Sequence, residues 1–497
     1  MTPPRKMLII GIDGMDYGLT CQWLDQLPNL RAMAEQGYFG PCHSVFPPDS
    51  IPAWATIYTG LDPSEHGIID SINYLDAKKI RSEDLNTHYF QGNTFWDAVG
   101  QAGYRVCVIN PFLAYPAWPV NGTMLTGPVF EGGDISTWPE NFSHGEPLPD
   151  MGGFVDFPEL SELPAFREKT ERVTREQADL GLKLYQQEQP DLFFLSIQTL
   201  DRVKHFFWRF QDPEDPTYPG RNPYENLILD AYIEIDRIVG AFRNLADADT
   251  LLVVLSDHGH QRRCTKVFYL NEYLRRRGFL RTTVRFPLLS RKFWTEKAKI
   301  FTLAVLDSLN LQDLAFRIAR LLPSKSRKAL KKSSYIVDKT TSVAYASEFC
   351  SANPHGGITI HRDALSAGVS YKALCNALTE YLQEARDPKT QHRIVRWVKH
   401  RNELFSGRQT DQFPDLLFEL DEDYGINWSV FGPLTGKNAT HKKISGGHRT
   451  EGLCVLSHRT AILPQRLEQY YELVAEIFGI PLPRKPRPQE PSEITVS

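Results

Sequence analysis

Short runs of Val, Ile, Leu and Phe alternate along the chain with segments of helical periodicity. The runs at 7–13, 104–110, 191–198, 250–257, 357–361, 414–420 and 453–456 are brief and nearly continuous in apolar residues, the pattern of strands covered on both faces. Between them, 27–36, 94–102, 172–189, 227–246 and 371–384 repeat apolar positions three and four residues apart. This alternation predicts an α/β fold with a mostly parallel central sheet between two helical layers.

Two regions break the pattern. Residues 112–165 are dense in Pro, Gly and aromatic residues and predict long, cap-like loops. Residues 275–335 form a basic insertion in which Leu311, Leu314, Ala315, Ile318 and Leu322 repeat with helical spacing ahead of the lysine cluster 325–332. The Pro-rich, polar stretch 483–497 predicts a disordered tail after a catalytic body spanning 1–482.

Composition narrows the class. With 497 residues, 41% hydrophobic and 23% charged, the chain is globular, which excludes collagenous, coiled-coil and disordered proteins. The seven cysteines have no paired CxxC spacing, so they read as buried free thiols instead of disulfides or a thiolate zinc site. The apolar run after Met7 is too short for a secretory signal, and no stretch approaches a membrane span. A soluble protein in a reducing, cytoplasmic setting is therefore expected. The net charge of −4 conceals an asymmetry: between Arg275 and Lys332 stand 16 Lys and Arg against three acids, so this segment carries +13 and the remainder −17. The favoured expectation packs the segment's apolar stripe on the core and solvates its charges; contact with an anionic membrane surface is the alternative. No nucleic-acid motif accompanies the charge.

The chemistry gathers where strands end, which is where open α/β sheets bind ligands. Asp13 and Gly14 follow the first strand. Ser50 stands in Asp49-Ser50-Ile51-Pro52, ahead of an apolar helix. Asp201 and His205, four apart, share one helix face after the strand 191–198, and Asp257-His258 end the strand 250–257. His448, between Gly447 and Arg449, precedes the last strand. Each is weak alone, but three Asp, three His and one hydroxyl at strand ends make the inventory of a two-metal phosphotransfer site.

In this order the residues resemble the alkaline phosphatase superfamily, and more narrowly its type I phosphodiesterase/nucleotide pyrophosphatase branch and a bacterial group of predicted phosphohydrolases or phosphomutases. Ser50-x-Pro52, Thr59-Gly60 and Pro63-x-x-His66-Gly67-Ile68 look like the branch's nucleophile segment; Trp54 stands where sulfatases carry Arg. The resemblance implies an alkaline-phosphatase-like three-layer αβα sandwich and two divalent ions, Zn²⁺ with Mn²⁺ or Fe as alternatives. It implies one metal on Asp13, Asp257, His258 and the Ser50 oxygen, and a second on Asp201, His205 and His448. It further implies hydrolysis of a small-molecule phosphoester, mono- or diester, through a covalent intermediate on Ser50; the alternatives are a phosphomutase or phosphoryl transferase of the same fold and a non-catalytic binding member. Ser71 and Asn73, near the branch's phosphate-binding Asn, and Arg449 are the expected substrate contacts. Lys204 and His260 are expected at the surface, and His66 in a structural role.

Overall fold

The computed structural model describes residues 5–69, 90–128, 134–140, 142, 147–151, 157–347, 353–365 and 370–483. Ser71, Asn73, part of the 112–165 stretch and nearly all of the expected tail lie outside the described residues.

Eight strands make the central sheet: β1 (Lys6–Ile12), β2 (Tyr38–His43), β3 (Val106–Ile109), β4 (Gly122–Thr126), β5 (Ser136–Trp138), β6 (Leu192–Ile197), β7 (Thr250–Leu255) and β8 (Glu451–Leu456). Their spatial order is β2-β8-β7-β1-β6-β3-β4-β5. The five strands from β7 to β4 are parallel, while β8 and β5 run antiparallel to their neighbours. Side chains alternate between two cores. Leu8, Ile10, Phe193 and Val254 enter one, and Ile9, Phe194, Val253 and Trp54 enter the other. Burial on both faces is the reason these strands read as unbroken apolar runs.

The structure is the expected three-layer α/β sandwich, with local departures. The runs at 357–361 and 414–420 belong to a separate antiparallel sheet built from Ala344–Ala346, His355–Ile360, Val395–His400 and Leu416–Leu420. This sheet packs around a third core that includes Phe268, Leu378, Phe418 and Tyr424. Within the stretch expected as loops, 122–126 and 136–138 are the last two strands at one side of the central sheet. Trp118 is buried there, stacking on Trp96 at 6.0 Å and donating its indole N–H to Asp97 at 2.8 Å.

The basic insertion folds as three helices, Arg291–Ser308, Gln312–Leu321 and Ser324–Lys332. Here the structure corrects the expectation: Leu311, Leu314, Ile318 and Leu322 are exposed, so the stripe is not packed on the core. The polar side of that helix faces the body instead. Asp313 accepts from Lys443 at 2.6 Å and from the Leu160 amide at 3.0 Å, and Arg317 pairs with Glu159. No helix among the described residues is long and apolar enough to cross a membrane.

Candidate active site

In β1, β6 and β7 the carboxyl ends point the same way, and antiparallel β8 brings its start to that edge. This topology converts distant sequence positions into one cluster. Asp13 leaves β1, and Gly14 turns the chain with φ of +72°. A Cβ at residue 14 would stand 3.2 Å from Asp201 Oδ1, so the turn needs glycine for its conformation and for the close approach. Ser50 opens the helix Ser50–Thr59, whose first turn is capped by Asp49 accepting from the Ile51 amide at 3.1 Å. Asp201 and His205 lie one turn apart on the helix Thr199–Gln211. His448 sits on Gly446–Arg449, which pairs with Gly259–Arg262 and sets His448 opposite His260.

The seven side chains expected as ligands converge in two overlapping groups. Ser50 Oγ lies 3.0 Å from His258 Nε2 and 3.4 Å from Asp13 Oδ1; His258 Nε2 is in turn 3.5 Å from Asp13 and 3.4 Å from Asp257. In the second group, His205 Nε2 and His448 Nε2 face each other at 2.9 Å, each 3.3 Å from an Asp201 oxygen. The His258 and His448 rings stack at 3.8 Å and join the groups.

Second contacts fix the tautomers. His205 Nδ1 lies 2.9 Å from the Gly446 carbonyl, His258 Nδ1 2.9 Å from that of Gly259, and His448 Nδ1 2.9 Å from that of Pro48. A carbonyl only accepts, so each Nδ1 carries the proton and each Nε2 presents its lone pair inward. Two such lone pairs facing one another beside a carboxylate are placed to share a cation. Asp201 Oδ1 and Asp257 Oδ2 are likewise buried without a hydrogen-bond donor. Ring nitrogens with carboxylates suit Zn²⁺ or a similar divalent ion, so the residues fit the metals.

The electrostatics agree. Asp13, Asp16, Asp201 and Asp257 are all buried. Arg449, shared with Glu451, lies 3.4 Å from Asp16, and the buried Lys204 supplies one more charge, so the four carboxylates outnumber the cations beside them. Burial, together with Asp257 and Asp201, pushes the Asp13 carboxyl well above its ordinary range, and burial with Asp201 nearby pushes Asp257 up to about 7. Burial also acts on Asp201; where His205, His260 and His448 turn a proton toward it in place of a cation, they outweigh burial and hold that carboxyl well below the usual value.

Two participants escaped the sequence reading. Lys204 is fully buried, donates to the Gly14 carbonyl, and has its ammonium pushed down to about 8 by burial. His260 is buried, with Nδ1 3.3 Å from Asp201 Oδ1, and stacks on Trp208. Spacing carried both signals: Lys204 is three residues from Asp201 on one helix face, and His260 is two from His258 on an extended segment. Arg449 is bound by Asp16 and Glu451. His66 has its Nε2 3.0 Å from Thr56 Oγ1 and accepts the Ile68 amide on Nδ1, which ties the helix Ser50–Thr59 to the turn after it.

Comparison with known proteins places this arrangement. The model of the family "Type I phosphodiesterase / nucleotide pyrophosphatase" matches residues 7–426. The chain belongs to that family. Human (Homo sapiens) ectonucleotide pyrophosphatase/phosphodiesterase family member 1 is 25% identical over 288 residues, 55% of this chain and 25% of that protein. Its rat (Rattus norvegicus) counterpart is 24% identical over 286 residues, 55% of this chain and 26% of that protein. This chain thus matches about a quarter of the length of these relatives. Phosphonoacetate hydrolase from Sinorhizobium meliloti 1021, solved with phosphonoformate, shares the fold with a TM-score of 0.53 over 96% of both chains at 15% identity.

Proposed function

We propose that the protein hydrolyses a small-molecule phosphoester through a covalent intermediate on Ser50. The observation that carries this reading is the placement of Ser50 Oγ 3.0 Å from His258 Nε2 and 3.4 Å from Asp13 Oδ1, at the mouth of a buried Asp/His cluster. Asp13, Asp257, His258 and the Ser50 oxygen would hold one divalent ion, and Asp201, His205 and His448 a second, with zinc the best match to this donor set. Such ions, when bound, supply Lewis acidity that stabilises an alkoxide and the charge developing on phosphoryl oxygens.

The chain's own residues do the rest. Ser50 Oγ attacks phosphorus and forms the O–P bond as the bond to the leaving oxygen breaks. Water then attacks phosphorus, the bond to Ser50 breaks, and the two displacements leave net retention. Trp54 fixes Asp13 by donating its indole N–H to Oδ2 at 3.2 Å, and the Gly14 amide fixes Asp257 by donating to Oδ1 at 2.9 Å. Lys204 neutralises part of the carboxylate charge without occupying the mouth. A reducing, cytoplasmic setting suits the five buried free cysteines among the described residues.

The test is Ser50→Ala, assayed on aryl phosphate mono- and diesters after loading with Zn²⁺ or Mn²⁺. The variant should keep its metal content and lose turnover by about three orders of magnitude. Undiminished turnover overturns the assignment of Ser50. Absence of turnover in native protein carrying two metals per chain overturns the hydrolase reading.

A further inference from the structure

Two helices of the basic insertion, Arg291–Ser308 and Gln312–Leu321, turn large apolar side chains toward water. A surface helix normally turns its apolar face to the core and its polar face outward. In Arg291–Ser308, Phe293 and Glu296 face the body: Phe293 packs on Phe431 at 5.0 Å, and Glu296 is fully buried, accepting from Lys299 at 2.8 Å and Ser333 at 2.7 Å. On the opposite side, Trp294 and Phe301, seven residues apart, are 56% and 69% exposed. The next helix repeats the inversion, with Asp313 and Arg317 holding the body while Leu314, Ile318 and Leu321 point away. Just upstream, the turn Pro287–Leu289 is braced by the Trp294 indole donating to the Leu288 carbonyl at 3.0 Å, and Leu289 is 87% exposed.

This concentration belongs to one place. Among the described residues, 12 of the 16 exposed large apolar side chains lie between Phe286 and Leu322. The same segment lies inside the stretch that carries +13, with Arg285, Arg291, Lys292, Lys297, Lys325 and Arg327 all exposed.

We propose that residues 285–332 are a membrane-docking unit that lies in the interface of an anionic lipid surface. Trp294, Phe301, Leu289 and Leu321 enter the boundary between head groups and acyl chains, and the surrounding Lys and Arg meet the lipid phosphates. Apolar exposure alone fits several occupants; the charge selects among them. Among the described residues, a second copy of this chain offers as its main apolar counterpart the same patch, with the same positive charge, since outside it the large exposed apolar side chains are Phe157, Leu160, Ile233 and Leu482. An anionic bilayer supplies both an apolar interior and negative charge. The inference rests on the insertion alone and stands or falls independently of the chemistry assigned to Ser50.

The experiment is flotation of the full chain with vesicles of phosphatidylcholine containing about one third phosphatidylglycerol, compared with phosphatidylcholine alone. Native protein should float with the anionic vesicles, and binding should fall at least about tenfold without the anionic lipid or in about 0.5 M salt. Phe301→Glu combined with Leu321→Glu should lower binding at least about tenfold while leaving thermal unfolding and aryl-ester turnover as in native protein. Trp294 gives a second readout that does not depend on that variant: vesicles of brominated lipid should quench native fluorescence more than that of Trp294→Phe. Failure to float, equal flotation of the double variant, or equal quenching with and without Trp294 overturns the proposal. So does a lipid-independent dimer that the same two substitutions dissociate, because the patch would then join two copies of the chain.

Discussion

Replacing Trp54 by Phe tests whether Asp13 is aimed by its neighbour or only by a cation. The Trp54 indole is buried in the nucleophile helix, donates to Asp13 Oδ2 at 3.2 Å, and lies flat enough on β1 that a Cβ at Gly11 would meet its Cη2 at 2.6 Å. Loss of a hydrogen bond to a buried carboxylate costs about 1.5–3 kcal/mol. The smaller ring vacates roughly 40 Å³, worth about 1 kcal/mol more. Trp54→Phe should therefore lower unfolding stability by about 2.5–4 kcal/mol in urea titrations, and turnover or metal affinity by about 10–100-fold. Packing and orientation separate in the second mutation. Gly11→Ala alone should destabilise by about 1–3 kcal/mol through overpacking against the indole. In the Trp54→Phe background the same methyl enters vacated space and should recover about 0.5–1 kcal/mol, without recovering turnover. Recovery of turnover in the double variant would show that the activity loss came from the cavity, and would refute the role given to the indole N–H.

Other outcomes follow from the same geometry. His205→Ala should reduce bound metal from two ions to one per chain by elemental analysis, and chelation of the native protein should abolish turnover until Zn²⁺ or Mn²⁺ is restored; two ions retained by the variant contradict the ligand division. Far from the reacting atoms, the buried Asp215 accepts from Thr217 and lies 2.7 Å from His441 Nε2. Burial pushes its carboxyl up, but His441 and Thr217 outweigh this and hold it below the ordinary value. A depressed native pKa means that this stabilisation is complete above the unfolded value, about 3.9, and is lost as pH falls through the native one. Asp215→Asn should thus be less stable than native protein at pH 7, with the gap in urea midpoints narrowing as pH falls below the unfolded value of about 3.9; a constant gap refutes the charge contribution.

Much of the architecture was legible because burial on two faces writes itself as unbroken apolar runs. Leu192–Ile197 and Thr250–Leu255 are such strands, and the seven Asp, His and Ser positions at strand ends were readable from order alone. Strands with mixed polarity were not. Tyr38–His43 reads Tyr-Phe-Gly-Pro-Cys-His and owes its conformation to its pairing with β8, a contact more than 400 residues away in sequence. Lys204 was misplaced because a lysine among carboxylates usually reaches water; here the aspartates on three elements make its burial tolerable. The insertion misled for the opposite reason. Periodicity shows that a helix has an apolar face but not which way the face turns, and Asp313 and Arg317 decide that by anchoring the other side.

The position of β8 also bears on how the protein is made. Within the central sheet β2, which leads to Ser50, pairs with β8, its last residue His43 also bridging Arg466, and β8 in turn lies beside β7. During synthesis the strand β2 ahead of Ser50 therefore has no sheet strand to join until residue 451 has left the ribosome, although β1, β6 and β7, which Asp13, Asp201 and Asp257 follow, are already able to associate. Arrival of β8 docks that strand and delivers His448 in the same event, since only the Thr450 link separates β8 from the strand Gly446–Arg449. A chain interrupted before that point can fold much of its sheet, yet it lacks both a seated serine and the last imidazole. Among the described residues, arrival of β8 thus closes the sheet beside β7 and brings His448 to the edge where Asp13, Asp201 and Asp257 lie.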